Sequence, residues 1–293
     1  MEIYCIDKSE MIISYSEKEE RQLNQKSIAT KGLELFNPKN WRIKPRLNGL
    51  TLDQFHYISE INAWIAKDFK HGTNLRLGLG CIIEPDVKIG NNATIGHRCI
   101  IKSDVKVGNN LVLGDEVLLA SGTRFANRVN IERRSLTTGI CYMGDNSQLR
   151  ANSTLSKGWV VEADVFIGAG VMTSHSLRPW IGRTIEHQQD FSFVGRGAWL
   201  GSMSQYAADV RIAAGVVVGY HANVVKDLDT ANGVYFNRPY PWATLQKVLR
   251  KGDELYYPIP KGYQQSYDLL KYFSKVEISK YLPQYKGSRS HRV

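Results

Sequence analysis

An aliphatic residue recurs every six positions: Leu77, Ile83, Ile89, Ile95, Ile101, Val107, Leu113 and Leu119. The same frame runs on through Phe125, Ile131, Met143, Leu149, Leu155, Val161 and Ile167. Glycine often fills the second place of the hexad, at Gly78, Gly90, Gly96, Gly108 and Gly114. The fifth place is small or apolar, as at Cys81, Val87, Ala93, Cys99, Val105 and Val117. A period of six suits neither an α-helix nor an alternating strand. It suits a solenoid in which each hexad is one short strand and a turn, with the first residue pointing inward. Glycine then follows where the backbone turns with no Cβ in the way. Three hexads close one triangular coil, so residues 18 apart, such as Cys81 and Cys99, stack on each other.

Lines such as VKIGNNATIG and VKVGNNLVLG resemble the repeat of the hexapeptide-repeat acyltransferases. The resemblance covers about residues 77–240. It implies a mainly β fold, a left-handed parallel β-helix, and the residues on either side read as an N-terminal α/β cap and C-terminal helices. The expected division is a cap over residues 1–75, the β-helix over 76–240 with an external loop at 173–192, and a helical extension with a basic tail over 241–293.

The chain has 293 residues and is 43% hydrophobic, enough for one large or two modest domains. It lacks a run of about 18 apolar residues, so no membrane span is expected. The acidic start, MEIYCIDKSEM, does not read as a secretory signal. Cys5, Cys81, Cys99 and Cys141 show no paired C-x-x-C spacing, and the last three fall on fifth hexad places. A reduced, cytoplasmic protein is expected. The net charge of +10 invites anions. It is spread rather than run together, which argues against a nucleic-acid partner; a phosphorylated cofactor, an acidic glycan or simple solvation accounts for it equally well.

Residues 51–70 read as an amphipathic helix. Thr51 and Gln54 form a capping box, Leu52, Phe55, Ile58, Ile61 and Ile65 lie on one face, and Gly72 ends it. Residues 1–75 lack G-x-G-x-x-G, so a dinucleotide fold is not expected there. This segment would cap the solenoid's open end. Residues 123–156 keep the frame but lose glycine and gain Arg124, Arg128, Arg133, Arg134 and Arg150, so irregular turns are expected. The frame breaks after Met172 and resumes in a new phase at Val194, Leu200, Tyr206, Ile212, Val218 and Val224. A loop thrown out between two intact ladders follows, and such loops commonly carry function. Helices are expected near 241–250 and over 262–281, the second with Tyr263, Tyr267, Leu270 and Phe273 on one side.

His175 stands at the loop mouth, and the ladder restarts at Trp199 as WLGSMSQYAADVRIAAGVVVGYHANVVKD. This stretch is similar to the cofactor-binding region of sugar and xenobiotic O-acetyltransferases, a group that includes galactoside and surface-polysaccharide acetyltransferases. The matching elements are His175, Trp199-Leu200-Gly201 and Lys226-Asp227. The chain departs from the pattern at Ser204-Gln205-Tyr206-Ala207, where proline and aliphatics are usual, and at Tyr220.

The resemblance implies an acetyl-CoA-dependent acetyltransferase acting on a sugar hydroxyl, as a homotrimer with each site between two subunits. His175 would be the general base, with His187 the next candidate. Trp199, Gly201, Ser202, Gly219, Lys226 and Arg238 would hold coenzyme A; Trp199, His187, Asn146 and Asn152 would face the carbohydrate acceptor. A neutral imidazole suits removal of the acceptor's proton, and a backbone N–H suits the tetrahedral oxyanion. Absence of a G-x-S-x-G elbow favours direct attack over an acyl-serine. Trp199 as a packing residue and Lys226 as a solvated charge remain alternatives. The carbonic-anhydrase relatives of this fold need three zinc-binding histidines, and His97, His175, His187 and His221 make no close pair of ligand spacing, so no metal is expected. Two further functions stay open: N-acylation of a nucleotide-linked amino sugar, and a non-catalytic glycan-binding solenoid.

Overall fold

The computed structural model describes residues 4–5, 50–176 and 191–282. Their strands form three sheets of 11, 10 and 8 strands, here called A, B and C. The chain visits them in rotation: Arg76–Leu77 in A, Ile82–Ile83 in B, Lys88–Ile89 in C, then Thr94–Ile95 in A again. Each rung pairs in parallel with the rung 18 residues on, as Leu77 with Ile95 and Ile83 with Ile101. Backbone N–H groups donate from coil to coil, for example Gly96 N to Leu113 O at 2.8 Å. The chain is therefore a β-solenoid, and its core is the column of first hexad residues, from Leu77 to Ile167, all buried. Burying each such side chain is worth about 1.5–3 kcal/mol, and the repeat supplies one per strand.

The turns correct the expected role of glycine. The left-handed residue is the fourth of the hexad, as at Asp86 (φ 61°), Asn92 (φ 57°) and Asn110 (φ 58°). Asn and Asp tolerate that region best among residues with a side chain. The second-place glycines serve coil stacking instead: a Cβ on Gly78 would lie 2.5 Å from the carbonyl carbon of Gly96.

The ladder break is local. Val161 pairs with Val194, Ile167 with Leu200 and Thr173 with Tyr206, so the register of 33 residues spans the break and stacking continues. The last inward residue before the break is Thr173, while Met172 faces outward. Through the arginine-rich coils the sheet C strands lengthen to three residues, at Thr123–Phe125, Cys141–Met143 and Trp159–Val161.

Two expected helices are strands. At 51–70 the capping box forms, but it caps only a 3-10 turn at Leu52–Gln54. Phe55–Ile58 and Ala63–Ala66 then form an antiparallel hairpin that extends sheet B, with Trp64 paired to Ile82. Covering an open sheet edge satisfies ladder hydrogen bonds that a helix would leave unmade. At 241–250 the chain forms strand Thr244–Val248, which closes sheet A antiparallel to Gly233–Phe236. The expected helix over 262–281 is reduced to a 3-10 turn, Leu269–Lys271, and helix α1, Lys275–Tyr281.

The C-terminal segment runs back along the outside of sheet C. Leu269, Phe273 and Leu282 pack with Ile140, Val160, Phe191 and Phe193. Tyrosine hydroxyls fasten it to coil carboxylates: Tyr257 to Asp164 (2.8 Å), Tyr263 and Tyr272 to Glu162 (2.8 Å for Tyr272), and Tyr281 to Asp104 (2.8 Å). Glu277 of α1 meets Lys106 at 2.8 Å and the buried guanidinium of Arg124 at 2.7 Å.

Candidate active site

Three corners join the sheets, and they sort the expected site residues. His175 follows the sheet B strand Met172–Thr173, so it sits on the corner between B and C, ahead of the sheet C strand Ser192–Val194. It is half-buried. The chain leading to it is pinned. Ser174 N donates to Tyr206 O at 2.9 Å, Ser156 Oγ donates to Thr173 O at 2.7 Å, and the indole N–H of buried Trp159 donates to Ser174 O at 2.7 Å. Lys226 is exposed on the same corner two coils on, at about 4.8 Å per coil. Its neighbour Asp227 accepts from Arg211 N at 2.9 Å.

Gly201, Ser202 and Gly219 lie on the corner between A and B. The glycines there answer to sterics: a Cβ on Gly201 would stand 2.5 Å from Val218 O, and one on Gly219 would stand 2.1 Å from the Phe236 ring. The close stacking leaves Ser202, Met203 and Tyr220 exposed on an otherwise backbone-lined ridge. Arg238 is exposed beside it, and Asn237 fastens that segment by donating from Nδ2 to His221 O at 3.2 Å. Asn152 is exposed on this corner, whereas Asn146 lies on the corner between C and A and donates to Asp164 Oδ1 at 3.1 Å. Both asparagines occupy the left-handed fourth place, with φ 59°, which is reason enough for Asn there.

Trp199 faces outward from sheet A, 38% exposed, its ring edge-to-face with Phe166 at 5.3 Å. Sheet A is the face of the prism opposite the corner that carries His175. A single chain thus brings His175 and Lys226 to one edge, Gly201, Ser202, Gly219, Asn152 and Arg238 to another, and unites neither set with Trp199 or Asn146. His187 lies outside the described residues. Among the described residues no three His, Cys, Asp or Glu side chains converge to hold a metal ion, and no helix is long and apolar enough to cross a membrane.

Sequence reasoning missed Trp159 and the tyrosines of the C-terminal segment. Trp159 had one readable signal: it stands on a fifth hexad place, where every coil nearby carries a small residue.

Hexad-built coil, interrupted once at a histidine-bearing corner, is the class that this architecture defines. Residues 80–115 match the family model for the bacterial transferase hexapeptide (six repeats). No curated protein matches the chain. Solved structures similar to it include the acetyltransferase domain of PglB from Neisseria gonorrhoeae in complex with acetyl coenzyme A. That likeness has 13% identity and a TM-score of 0.33, over 48% of this chain and 57% of that one. The chain thus spans a little over half the length of that structure. The UDP-N-acetylglucosamine O-acyltransferase LpxA from Moraxella catarrhalis matches at 18% identity and a TM-score of 0.39, over 64% of this chain and 72% of that one. A mutant of the N-acyltransferase AntD from Bacillus cereus, in complex with dTDP-4-amino-4,6-dideoxyglucose and coenzyme A, matches at 14% identity and a TM-score of 0.32, over 68% of this chain and 91% of that one.

Proposed function

We propose that the protein is an acetyltransferase that moves an acetyl group from acetyl-CoA to a sugar hydroxyl of a surface polysaccharide or its precursor. The observation that carries this reading is the placement of His175. It is half-buried, on a pinned backbone, at the corner where the hexad frame is interrupted, and the Trp199–Asp227 stretch follows on the next coils. His175 takes the acceptor's hydroxyl proton as the oxygen attacks the thioester carbonyl. Collapse of the tetrahedral intermediate breaks the C–S bond, and the imidazolium returns the proton to the leaving thiolate.

Because His175 and Trp199 face opposite sides of one prism, the reading calls for two copies side by side, the His175 corner of one against the sheet A and A–B corner of another. Among the described residues the C-terminal segment packs over sheet C, so the reading assigns such contact to sheets A and B. A closed ring of three copies satisfies this heterologous contact. Ser202 and the Gly201–Gly219 ridge would then line the pantetheine arm, with Lys226 and Arg238 near the phosphates and Asn152 toward the acceptor.

Calorimetric titration with acetyl-CoA tests the reading. One saturable site per chain is expected, weakened by Lys226→Ala and kept in His175→Ala. In acetyl transfer to a panel of sugars, His175→Ala should lose about 100-fold or more in turnover, the scale of a lost general base. Absence of binding at millimolar acetyl-CoA would sink it, and transfer to amino sugars alone would redirect it to N-acylation.

A further inference from the structure

The interior of the coil follows a second rule, separate from the hexad of aliphatics. A fifth-place side chain donates to the second-place carbonyl 15 residues on. Ser135 Oγ reaches Arg150 O (2.8 Å), Ser147 Oγ reaches Glu162 O (2.9 Å) and Ser153 Oγ reaches Gly168 O (2.8 Å). Cys81 and Cys99 direct their thiols at Gly96 O and Gly114 O, both at 3.1 Å. Trp159 obeys the same rule toward Ser174 O, with an indole in place of a hydroxyl or thiol. A serine would satisfy that carbonyl with far less volume. The large ring is therefore unexplained by the hydrogen bond alone, and it stands directly inside the corner that bears His175.

The ring has a partner. Trp159 (0% exposed) meets Tyr206 (2% exposed) edge-to-face, with centroids 6.0 Å apart and planes at 80°. Tyr206 is one of the residues that depart from the family pattern, and so is Ser204. Their hydroxyls are 2.9 Å apart, and Ser204 Oγ donates its one proton to Gly201 O at 2.5 Å, so the Tyr206 hydroxyl donates to Ser204. A buried path thus runs through the prism from the carbonyl before His175, through Trp159, Tyr206 and Ser204, to Gly201 on the opposite corner of sheet B.

We propose that Trp159 is a positioning residue: its indole fixes the Ser174 carbonyl, and so the backbone from which His175 projects, and Tyr206 and Ser204 brace it from the coil below. The proposal rests on His175 being the base. Two features favour positioning over packing alone. The serines and cysteines that make the same fifth-place bond are small, whereas Trp159 brings a full ring, and its bond falls one residue from the imidazole. Holding a catalytic group within a fraction of an ångström is the effect such outer contacts supply.

Trp159→Phe tests it, since the ring remains and the N–H is lost; should that variant not fold, replacement by the isosteric 3-benzothienylalanine removes the N–H with the shape intact. Acetyl transfer to the best sugar of the panel is followed with acetyl-CoA varied. A roughly tenfold fall in kcat is expected, with KM for acetyl-CoA within about twofold and no further fall when the change is placed in His175→Ala. Unchanged kcat in the N–H-deleted protein, or an equal loss in the His175→Ala background, overturns the positioning role and leaves the base assignment standing. Full activity in His175→Ala alone overturns both.

Discussion

Trp159 and Tyr206 meet at 80° inside the prism, beneath the corner that bears His175. Both are polar-tipped aromatics inside the prism, and both tips are hydrogen-bonded. Burial pushes the Tyr206 hydroxyl well above its ordinary pKa, so it stays a neutral donor throughout the working range. Tyr206→Phe leaves the Ser204–Gly201 bond intact and should cost about 1 kcal/mol, whereas Trp159→Ala opens a cavity worth about 3–5 kcal/mol. Urea unfolding compares the two; equal losses would show that the ring contact contributes little.

Gly201→Ala separates sterics from cofactor contact. Its Cβ would press against the Val218 carbonyl at 2.5 Å and the Gly219 backbone at 2.6 Å. The coils must part, at about 1–3 kcal/mol. Thermal unfolding without any cofactor should therefore show a lower Tm. An unchanged Tm would place the need for glycine in the ligand rather than in the stack.

Acid should loosen the C-terminal segment before the coil. Burial alone would raise the Glu277 carboxyl, but hydrogen bonds from Lys106, the Ser274 N–H, Arg124 and the Ser274 hydroxyl outweigh it and hold the carboxyl at about 2, against an ordinary 4.5. A carboxylate lowered on folding stabilises above its unfolded value, and that stability drains as pH falls from about 4.5 toward about 2. Asp104 is lowered too, its burial outweighed by Tyr281, Arg124, Lys280 and Lys106, and it shifts the same way. Protection of the α1 amides, relative to their intrinsic exchange at each pH, should fall as pH drops from about 4.5 toward about 2 while the Leu77–Leu119 coils stay protected. Glu277→Gln should remove most of this pH response and, by leaving Arg124 short of a partner, cost about 3 kcal/mol. Simultaneous exchange of α1 and coil would count against a separately anchored segment.

The coil thiols should be inert. Cys81, Cys99 and Cys141 are free and buried, and burial pushes the Cys141 thiol up to about 12. A Cys5→Ser protein should show no reaction with a thiol-specific disulfide reagent until denatured. Rapid native labelling would contradict the packing of the fifth-place column.

The hexad places from Leu77 to Ile167 and from Val194 to Val224 could be read directly, because each coil touches only its neighbours and every coil meets the same steric demand. The phase change after Met172 likewise located the interruption. The strands at 55–66 and 244–248 could not be read this way. Phe55, Ile58, Ile61 and Ile65 suit a helical face, yet the adjoining sheet edge recruits the segment as a hairpin, a choice that depends on an edge built from residues further along the chain. Asn146 and Asn152 drew attention as site candidates, although their backbone conformation accounts for them.

By itself, then, the sequence determined a repetitive coil, its inward residues and the place where its frame breaks. Only the tertiary structure decided which corner each functional candidate occupies, that sheet C is covered, and which side chain holds the Ser174 carbonyl. The reason is the range of the contacts. The hexad is enforced between residues 18 apart, so it is written as a period. The Tyr257–Asp164 and Tyr272–Glu162 bonds join residues 93 and 110 positions apart, and the Trp159–Tyr206 contact crosses the interruption; such contacts leave no period in the chain and exist only once the prism has formed.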